Sequence, residues 1–109
     1  MNPSDFIPMS ETAYYILLSL LTEKHGYGIM QHVSNITGNR INLGAGTLYG
    51  TLSKLEKNNL ITMTKEENKR KYYKITDLGT NVLLHEISRI KELYTNGNEE
   101  LKINNWEVI

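Results

Sequence analysis

The chain has no cysteine among its 109 residues. Without cysteine, it can form neither a disulfide framework nor a thiolate metal site. Its three histidines, His25, His32 and His85, also lack the mutual spacing that metal ligands need. No Ser/His/Asp arrangement stands out, and no pair of acids can be placed in a cleft. We therefore expect a protein without a metal or cofactor that is not an enzyme.

Signals for secretion and for membrane insertion are also missing. The N-terminal stretch MNPSDFIPMSE has acidic residues but no lysine or arginine, whereas a secretory signal needs a basic start. The longest apolar run, AYYILLSLL, is far too short to span a bilayer. We expect a cytoplasmic protein of one domain that makes no membrane contact.

Charge is distributed unevenly along a chain whose formal net charge is zero. Residues 40–74 contain eight lysines and arginines against three acids, a net charge of +5, whereas the segments on either side are both negative. A basic block of this kind is typical of a surface that binds nucleic acid. An ordinary solvated surface explains the charge equally well at this point.

The periodicity and capping residues predict a mainly α fold with one β-hairpin. The predicted elements, in chain order, are helices over 11–23, about 27–37 and 44–58, a hairpin over 60–75 with its turn at 67–70, and a last helix over 77–98.

The glycine-rich stretch GAGTLYG, residues 44–50, raises the possibility of a phosphate-binding loop. It matches only two glycines of the dinucleotide fingerprint, and no convincing strand precedes it. As a helix, it places Leu48, Leu52 and Leu55 on one face for the core. The other face is small, polar and basic, so that it can enter a major groove. The predicted DNA-binding residues of this helix are Gly46, Thr47, Tyr49, Gly50, Ser53 and Lys54.

The hairpin that follows carries a basic tip. A basic hairpin after a helix-turn-helix is typical of a wing that reaches the DNA backbone or minor groove. The predicted contacts of this wing are Lys69, Arg70, Lys71 and Tyr72. A solvated turn is the alternative, because Glu66 and Glu67 offset part of the charge.

Apolar residues cover about 200° of the last helix, twice the usual stripe. A helix this wide has two surfaces to bury, one against its own domain and one against a partner helix. We predict a homodimer, whose two recognition helices would face two half-sites of DNA. The predicted interface residues are Tyr14, Leu17, Leu83, Ile87, Ile90 and Tyr94.

Three segments together resemble the PadR family of bacterial transcriptional regulators: YYILLSLLTEKHGYGIMQHV, GAGTLYGTLSKLEKNNLI and RKYYKITDLG. The resemblance covers about residues 8–95. It implies an N-terminal arm (1–9), a winged helix-turn-helix domain (10–76), a C-terminal dimerisation helix (77–98) and a tail (99–109). It further implies a homodimeric repressor that binds an inverted-repeat operator and is released by a small molecule or a stress signal.

The resemblance leaves the effector open. Some small members that bind planar drugs carry a tryptophan within the last helix, whereas the only tryptophan here, Trp106, lies in the tail. That tail is either frayed or folded back over an apolar groove. The candidate contacts for a small hydrophobic or aromatic effector are Tyr15, Ile90 and Trp106. The alternative function is a winged-helix module that binds another protein and leaves its DNA face idle.

Overall fold

The computed structural model describes residues 2–107 and confirms a mainly helical fold with a small antiparallel sheet. A 3-10 helix, Pro3–Phe6, precedes the first α-helix. The regular elements are α1 (Glu11–Ser19), β1 (Lys24–His25), α2 (Gly26–Ile36), α3 (Ala45–Lys57), β2 (Ile61–Glu67), β3 (Arg70–Ile75) and α4 (Asp77–Ile103).

Helix α1 begins as predicted and ends earlier than predicted. Ser10 caps it by accepting a hydrogen bond from the backbone N–H of Ala13. The prediction that it continues to residue 23 is wrong, because the chain leaves the helix after Ser19. The carbonyl of Leu20 instead accepts a hydrogen bond of 2.8 Å from the N–H of Ile75. This bond ties the end of α1 to the sheet.

The sheet has three strands in the order β1-β3-β2, one more than the hairpin that the sequence predicts. The predicted hairpin is β2 and β3, and its turn residues Asn68 and Lys69 have φ angles of 54° and 63°. Two successive left-handed residues are typical of the tight turn that matches strand twist. The additional strand, β1, pairs Lys24 with Tyr73 and His25 with Tyr72. A strand of two residues is too short to show any periodicity in the sequence.

The core lies between helices α1, α2 and α3, the sheet and the first turns of α4. Leu48, Leu52 and Leu55 of α3 are buried, which confirms the predicted core face of that helix. Tyr73 also points inward, and neighbouring Lys74 is exposed, as the alternation along β3 predicts. The other buried apolar residues are Ile16, Leu17, Leu20, Ile29, Val33, Leu60, Ile61, Val82 and Leu83.

Helix α4 begins where the sequence predicts and extends beyond Gly97. The Thr76 hydroxyl accepts a hydrogen bond from the N–H of Gly79 at 3.0 Å. The helix continues through Gly97 to Ile103, beyond residue 98, which bounds the predicted dimerisation helix. A single glycine costs a helix only about 1 kcal/mol, too little to end it.

The C-terminal end of α4 is closed by a backbone motif. Asn105 has a φ of 64°, and the Trp106 N–H bonds the Leu101 carbonyl at 2.8 Å, as in a Schellman motif. The first five residues of the segment predicted as a tail, 99–103, are therefore helix, and its residues 108 and 109 lie outside the described part. None of the helices within residues 2–107 has both the length and the apolar character to cross a membrane.

The predicted N-terminal arm is anchored to α4. Its last residue, Met9, donates its backbone N–H to the Glu86 carboxylate at 2.6 Å. Arg89, one turn further along α4, also donates to this carboxylate. The hydrogen bond from Arg89 and the Met9 N–H hold the pKa of Glu86 below its ordinary value, against the effect of burial. Glu86 is thus a buried acid whose charge is fully paired.

Candidate nucleic-acid interface

The outer face of α3 is exposed and leaves room for another molecule to approach the helix backbone. Gly46 and Gly50 lie one turn apart on this face, and no atom lies within 4 Å of a Cβ built on either glycine. Thr47, Ser53 and Lys54 are exposed beside them. No packing inside the chain therefore requires a glycine at position 46 or 50. Each of the two glycines lowers the stability of the helix, and no contact among the described residues compensates for this loss.

A cleft of about 420 Å³ separates α3 from the wing formed by β2 and β3. It brings together half of the predicted DNA-binding residues, which come from segments 16 or more positions apart. The predicted residues that line it are Tyr49, Ser53, Lys69, Arg70 and Lys71. Gly46, Thr47, Gly50 and Lys54 lie on α3 outside the lining. Helix α3 and the wing tip thus form the two walls of one surface.

The positive charges of this surface have no acidic partner within 4 Å among the described residues, although Glu56 also lines the cleft. Lys65, further from the tip, lies 3.2 Å from Glu67 and 3.7 Å from Glu23. In contrast, no carboxylate within residues 2–107 lies within 4 Å of Lys69, Arg70 or Lys71, and the same holds for Lys54. Unpaired cations that crowd one face attract polyanions over several ångströms.

Tyr49 connects α3 to the start of α2. A Cβ added to Gly26 would lie 2.5 Å from the Tyr49 hydroxyl, so the tyrosine ring lies directly over this glycine. The Tyr49 side chain is still 53% exposed, which leaves one edge of its ring available. Gly26 therefore makes the space that positions Tyr49 at the rim of the cleft.

Tyr72 lies apart from the other predicted contacts. Its ring packs edge-on against His25 at a centroid distance of 5.2 Å, and the Lys65 ammonium lies 4.6 Å from its centroid. It does not line the cleft with the α3 residues. The alternation along β3 places Tyr72 on the face of the sheet that points away from the core. Of the two neighbouring tyrosines of β3, Tyr73 therefore faces the core and Tyr72 lies on this outer face.

His25 and Tyr27 also line the cleft, and the sequence prediction missed both. His25 caps α2, since its Nδ1 accepts a hydrogen bond from the N–H of Gly28 at 3.1 Å. The sequence signal was present, because a side chain with an acceptor directly precedes Gly26, Tyr27 and Gly28. It was overlooked because serine, threonine, aspartate and asparagine are the preferred caps.

The distal half of α4 carries a second exposed surface, whose residues do not line the cleft. Its apolar residues recur at spacings of three and four, as in a helix that pairs with another helix. These residues are Ile87, Ile90, Leu93, Tyr94 and Leu101, each at least 40% exposed. Leu17 and Leu83, which the sequence assigns to a dimer interface, instead lie in the chain's own core at 0% and 3% exposure. Their periodicity could not distinguish between core and interface.

The residues proposed for an effector do not meet at one place. Tyr15 and Ile90 line a cavity of about 350 Å³ together with Tyr14, Glu86 and Arg89. Trp106 is absent from this lining and is 68% exposed beyond the end of α4. The alternative in which the tail folds back over an apolar groove is therefore wrong. The helix end is held by backbone hydrogen bonds and by the Asn104 side chain, whose Nδ2 donates to the Glu100 carbonyl at 2.9 Å.

Residues 16–85 match the model of the transcriptional regulator PadR-like family. Uncharacterized protein X of Lysinibacillus sphaericus is 38% identical over 87 residues, which cover 72% of this chain and 80% of that protein. Transcriptional regulator YqjI of Escherichia coli (strain K12) is 30% identical over 70 residues, which cover 62% of this chain. That match spans only 34% of YqjI.

The fold is also found in a solved structure. A PadR family transcription regulator from hypervirulent Clostridium difficile R20291 aligns with a TM-score of 0.72 at 23% identity. The alignment covers 84% of this chain and 99% of that one. At this identity the likeness concerns the fold alone.

Proposed function

Because the chain belongs to the transcriptional regulator PadR-like family, whose members are DNA-binding regulators and not enzymes, we propose that it is a homodimeric repressor. In this proposal α3 enters the major groove and the wing lies along the adjacent backbone. The operator is an inverted repeat, and a small molecule or a stress signal releases the protein from it. The observation that carries the proposal is the surface that α3 and the wing tip form together.

Two properties of that surface support DNA as its ligand. The first is its set of lysines and arginines without acidic partners, since phosphate contacts provide most of the affinity of such proteins for DNA. The second is the pair of open glycines, Gly46 and Gly50, which allow a bulky partner to approach the α3 backbone. A protein-binding module with an idle DNA face explains neither property.

The homodimer is supported by the distal half of α4. An apolar helix face of this length, exposed in one chain, is buried when it packs against the same face of a second copy. A two-fold dimer presents two α3 helices to two half-sites of one duplex. The cavity beside Tyr15 and Ile90 supports the proposed effector site.

A binding titration at two salt concentrations tests the proposed DNA binding. The probe is a labelled duplex that covers the DNA directly upstream of the protein's own gene, and a random duplex of equal length is the control. We expect tighter binding to the upstream duplex and a steep fall of affinity with salt, because bound phosphates release counterions. Equal weak binding to both duplexes, or no binding, would contradict the proposal.

Replacing Gly50 by leucine separates the DNA face from the fold. No atom surrounds a Cβ at this position, so we expect thermal stability to be unchanged or slightly raised. We expect binding to the upstream duplex to fall at least about 10-fold, because the added side chain would contact the groove. Ser88→Leu, at an exposed position of α4 on the opposite side of the helical wheel from Ile90, is the matched control and should leave binding to the duplex intact.

A further inference from the structure

The pair formed by His25 and Arg70 is left unexplained by the core and by the proposed recognition helix. The Nε2 atom of His25 lies 3.2 Å from the Nη1 atom of Arg70. The two residues come from β1 and β3 and meet at the lining of the cleft between α3 and the wing. The donors and acceptors of the two side chains determine whether this contact is a hydrogen bond.

A neutral imidazole has one lone pair available, and two donors face the ring of His25. The Gly28 N–H points at Nδ1 at 3.1 Å, while the Arg70 guanidinium faces Nε2. The Gly28 N–H lies in the first turn of α2, where it has no partner within the helix, so the cap takes the lone pair. The ring proton is therefore on Nε2, next to a cation that can only donate.

Two N–H donors that lie 3.2 Å apart form no hydrogen bond with each other. They form one half of a site for an oxygen that accepts from both. Edge-to-face packing against Tyr72, at an interplanar angle of 81°, holds the ring of His25 so that Nε2 keeps facing Arg70. Among residues 2–107, no carboxylate within 4 Å competes for the Arg70 guanidinium.

We infer that His25 and Arg70 together hold one phosphate of the DNA backbone, His25 as a neutral donor and Arg70 as a charged one. The inference rests on the proposed DNA binding and names a contact that fixes the position of the duplex relative to the wing. Phosphate contacts of this kind set register without reading sequence. His25 thus links the start of α2 to the bound backbone.

Substitution with asparagine isolates the proposed contact. His25→Asn keeps an acceptor that can cap α2 and removes the donor that faces Arg70. We expect affinity for the upstream duplex to fall about 3- to 10-fold, with the salt dependence unchanged because a neutral group is lost. Arg70→Gln should weaken binding about 10-fold and reduce the slope of log affinity against log salt by about one. His85→Asn, an exposed site on α4, is the matched control.

The double variant distinguishes a shared phosphate from two separate contacts. If one phosphate is shared, His25→Asn adds less than about 2-fold to the loss caused by Arg70→Gln, because the site is already broken. Fully additive losses, or wild-type affinity in His25→Asn, would overturn the inference and leave DNA binding standing. Failure of the unmodified protein to bind either duplex would overturn both.

A spectroscopic measurement on the unmodified protein covers the case in which the His25 variant does not fold. Nitrogen-15 NMR of the histidine ring distinguishes the two neutral tautomers. The inference requires the Nε2-protonated form for His25 in the free protein and a shift of that resonance when the upstream duplex is added. A proton on Nδ1, or a resonance that does not respond to DNA, would contradict it.

Discussion

The two halves of α4 belong to one continuous helix, but the proximal half packs against the domain and the distal half is exposed. The proximal half buries Gly79, Val82, Leu83 and Glu86 against the domain. The distal half, from Ile87 onward, has no buried residue up to its end at Ile103, although it has a similar supply of large apolar side chains. Apolar residues recur at spacings of three or four in both halves. The comparison shows that periodicity identifies a surface to be covered but not what covers it.

The two halves therefore predict two kinds of response to substitution. Changes in the proximal half should act on the stability of each chain, through contacts within it. In the proposed dimer, loss of apolar side chains from the distal half should act on association, because the contacts removed would be with a second copy. A proximal substitution that changed association alone, or the loss of a distal apolar side chain that changed the stability of the isolated chain, would contradict this comparison.

The largest effect is expected at Gly79. A Cβ at this position would lie 2.1 Å from the carbonyl oxygen of Leu60, which is backbone and cannot move aside cheaply. We expect Gly79→Ala to lower the free energy of unfolding by about 3 kcal/mol or more. Urea unfolding followed by circular dichroism measures this change.

Gly97→Ala is the matched change in the distal half. No atom lies within 4 Å of a Cβ at this position, and alanine favours helix over glycine. We expect the free energy of unfolding to rise by about 0.5–1 kcal/mol. A loss at position 97 as large as that at position 79 would show that the halves do not differ as described.

Association is the next effect in size. We expect the double variant Ile90→Glu/Leu93→Glu to raise the dimer dissociation constant at least about 100-fold, because it would bury charge between the paired helices. Sedimentation velocity over a range of concentrations measures this constant. Each isolated chain should keep its helical content, since both side chains are exposed in the monomer.

Ser88→Glu is the control for added charge on the same stretch of helix, because residue 88 lies on the opposite side of the wheel from Ile90. It should leave the dissociation constant within about 3-fold of the unmodified protein. Equal dissociation in both variants would mean that the effect is one of general charge. In that case the apolar face would not be the interface.

A further effect, smaller than that at Gly79, is a pH dependence that originates at the boundary between the halves. Arg89 and the Met9 N–H keep the pKa of Glu86 below its ordinary value of 4.5. A lowered pKa in the folded state adds stability that is present above pH 4.5 and is lost as the pH falls through the folded value. Glu86→Gln should remove this component and cost about 1–2 kcal/mol at pH 7.

Thermal melts of Glu86→Gln and the unmodified protein at pH 7 and at pH 3 measure this component. The difference in stability between the two proteins should shrink at the lower pH, where the unmodified acid is also losing its charge. A difference that stays constant across this range would mean that the buried acid contributes through its shape and not through its charge.

Much of the fold follows from the sequence because several signals agree. Ser10 and Thr76 cap the helices as predicted, and the leucines of α3 face the core. The parts that could not be predicted depend on distant contacts. Strand β1 exists because Lys24 and His25 pair with β3, and α1 ends early because Leu20 bonds Ile75. No local pattern in either segment indicates a partner some 50 residues away.

The sequence predicted which residue types form the candidate site. The fold is what brings these residues together. Charge and periodicity indicated α3 and the wing tip, and the cleft brings residues of both together. His25 was missed because its role depends on Arg70, which lies 45 positions away. Leu17 was assigned to the interface because an amphipathic pattern looks the same whether a helix meets its own domain or a partner.

Hydroxyl-radical footprinting on the DNA upstream of the protein's own gene tests the central claim most directly. If two copies pair through the distal half of α4, two α3 helices face one duplex. The footprint should then show two protected segments on the same side of the DNA, with centres about 10–10.5 base pairs or a multiple of that distance apart. A single protected segment, unchanged in the Ile90→Glu/Leu93→Glu variant, would contradict the account.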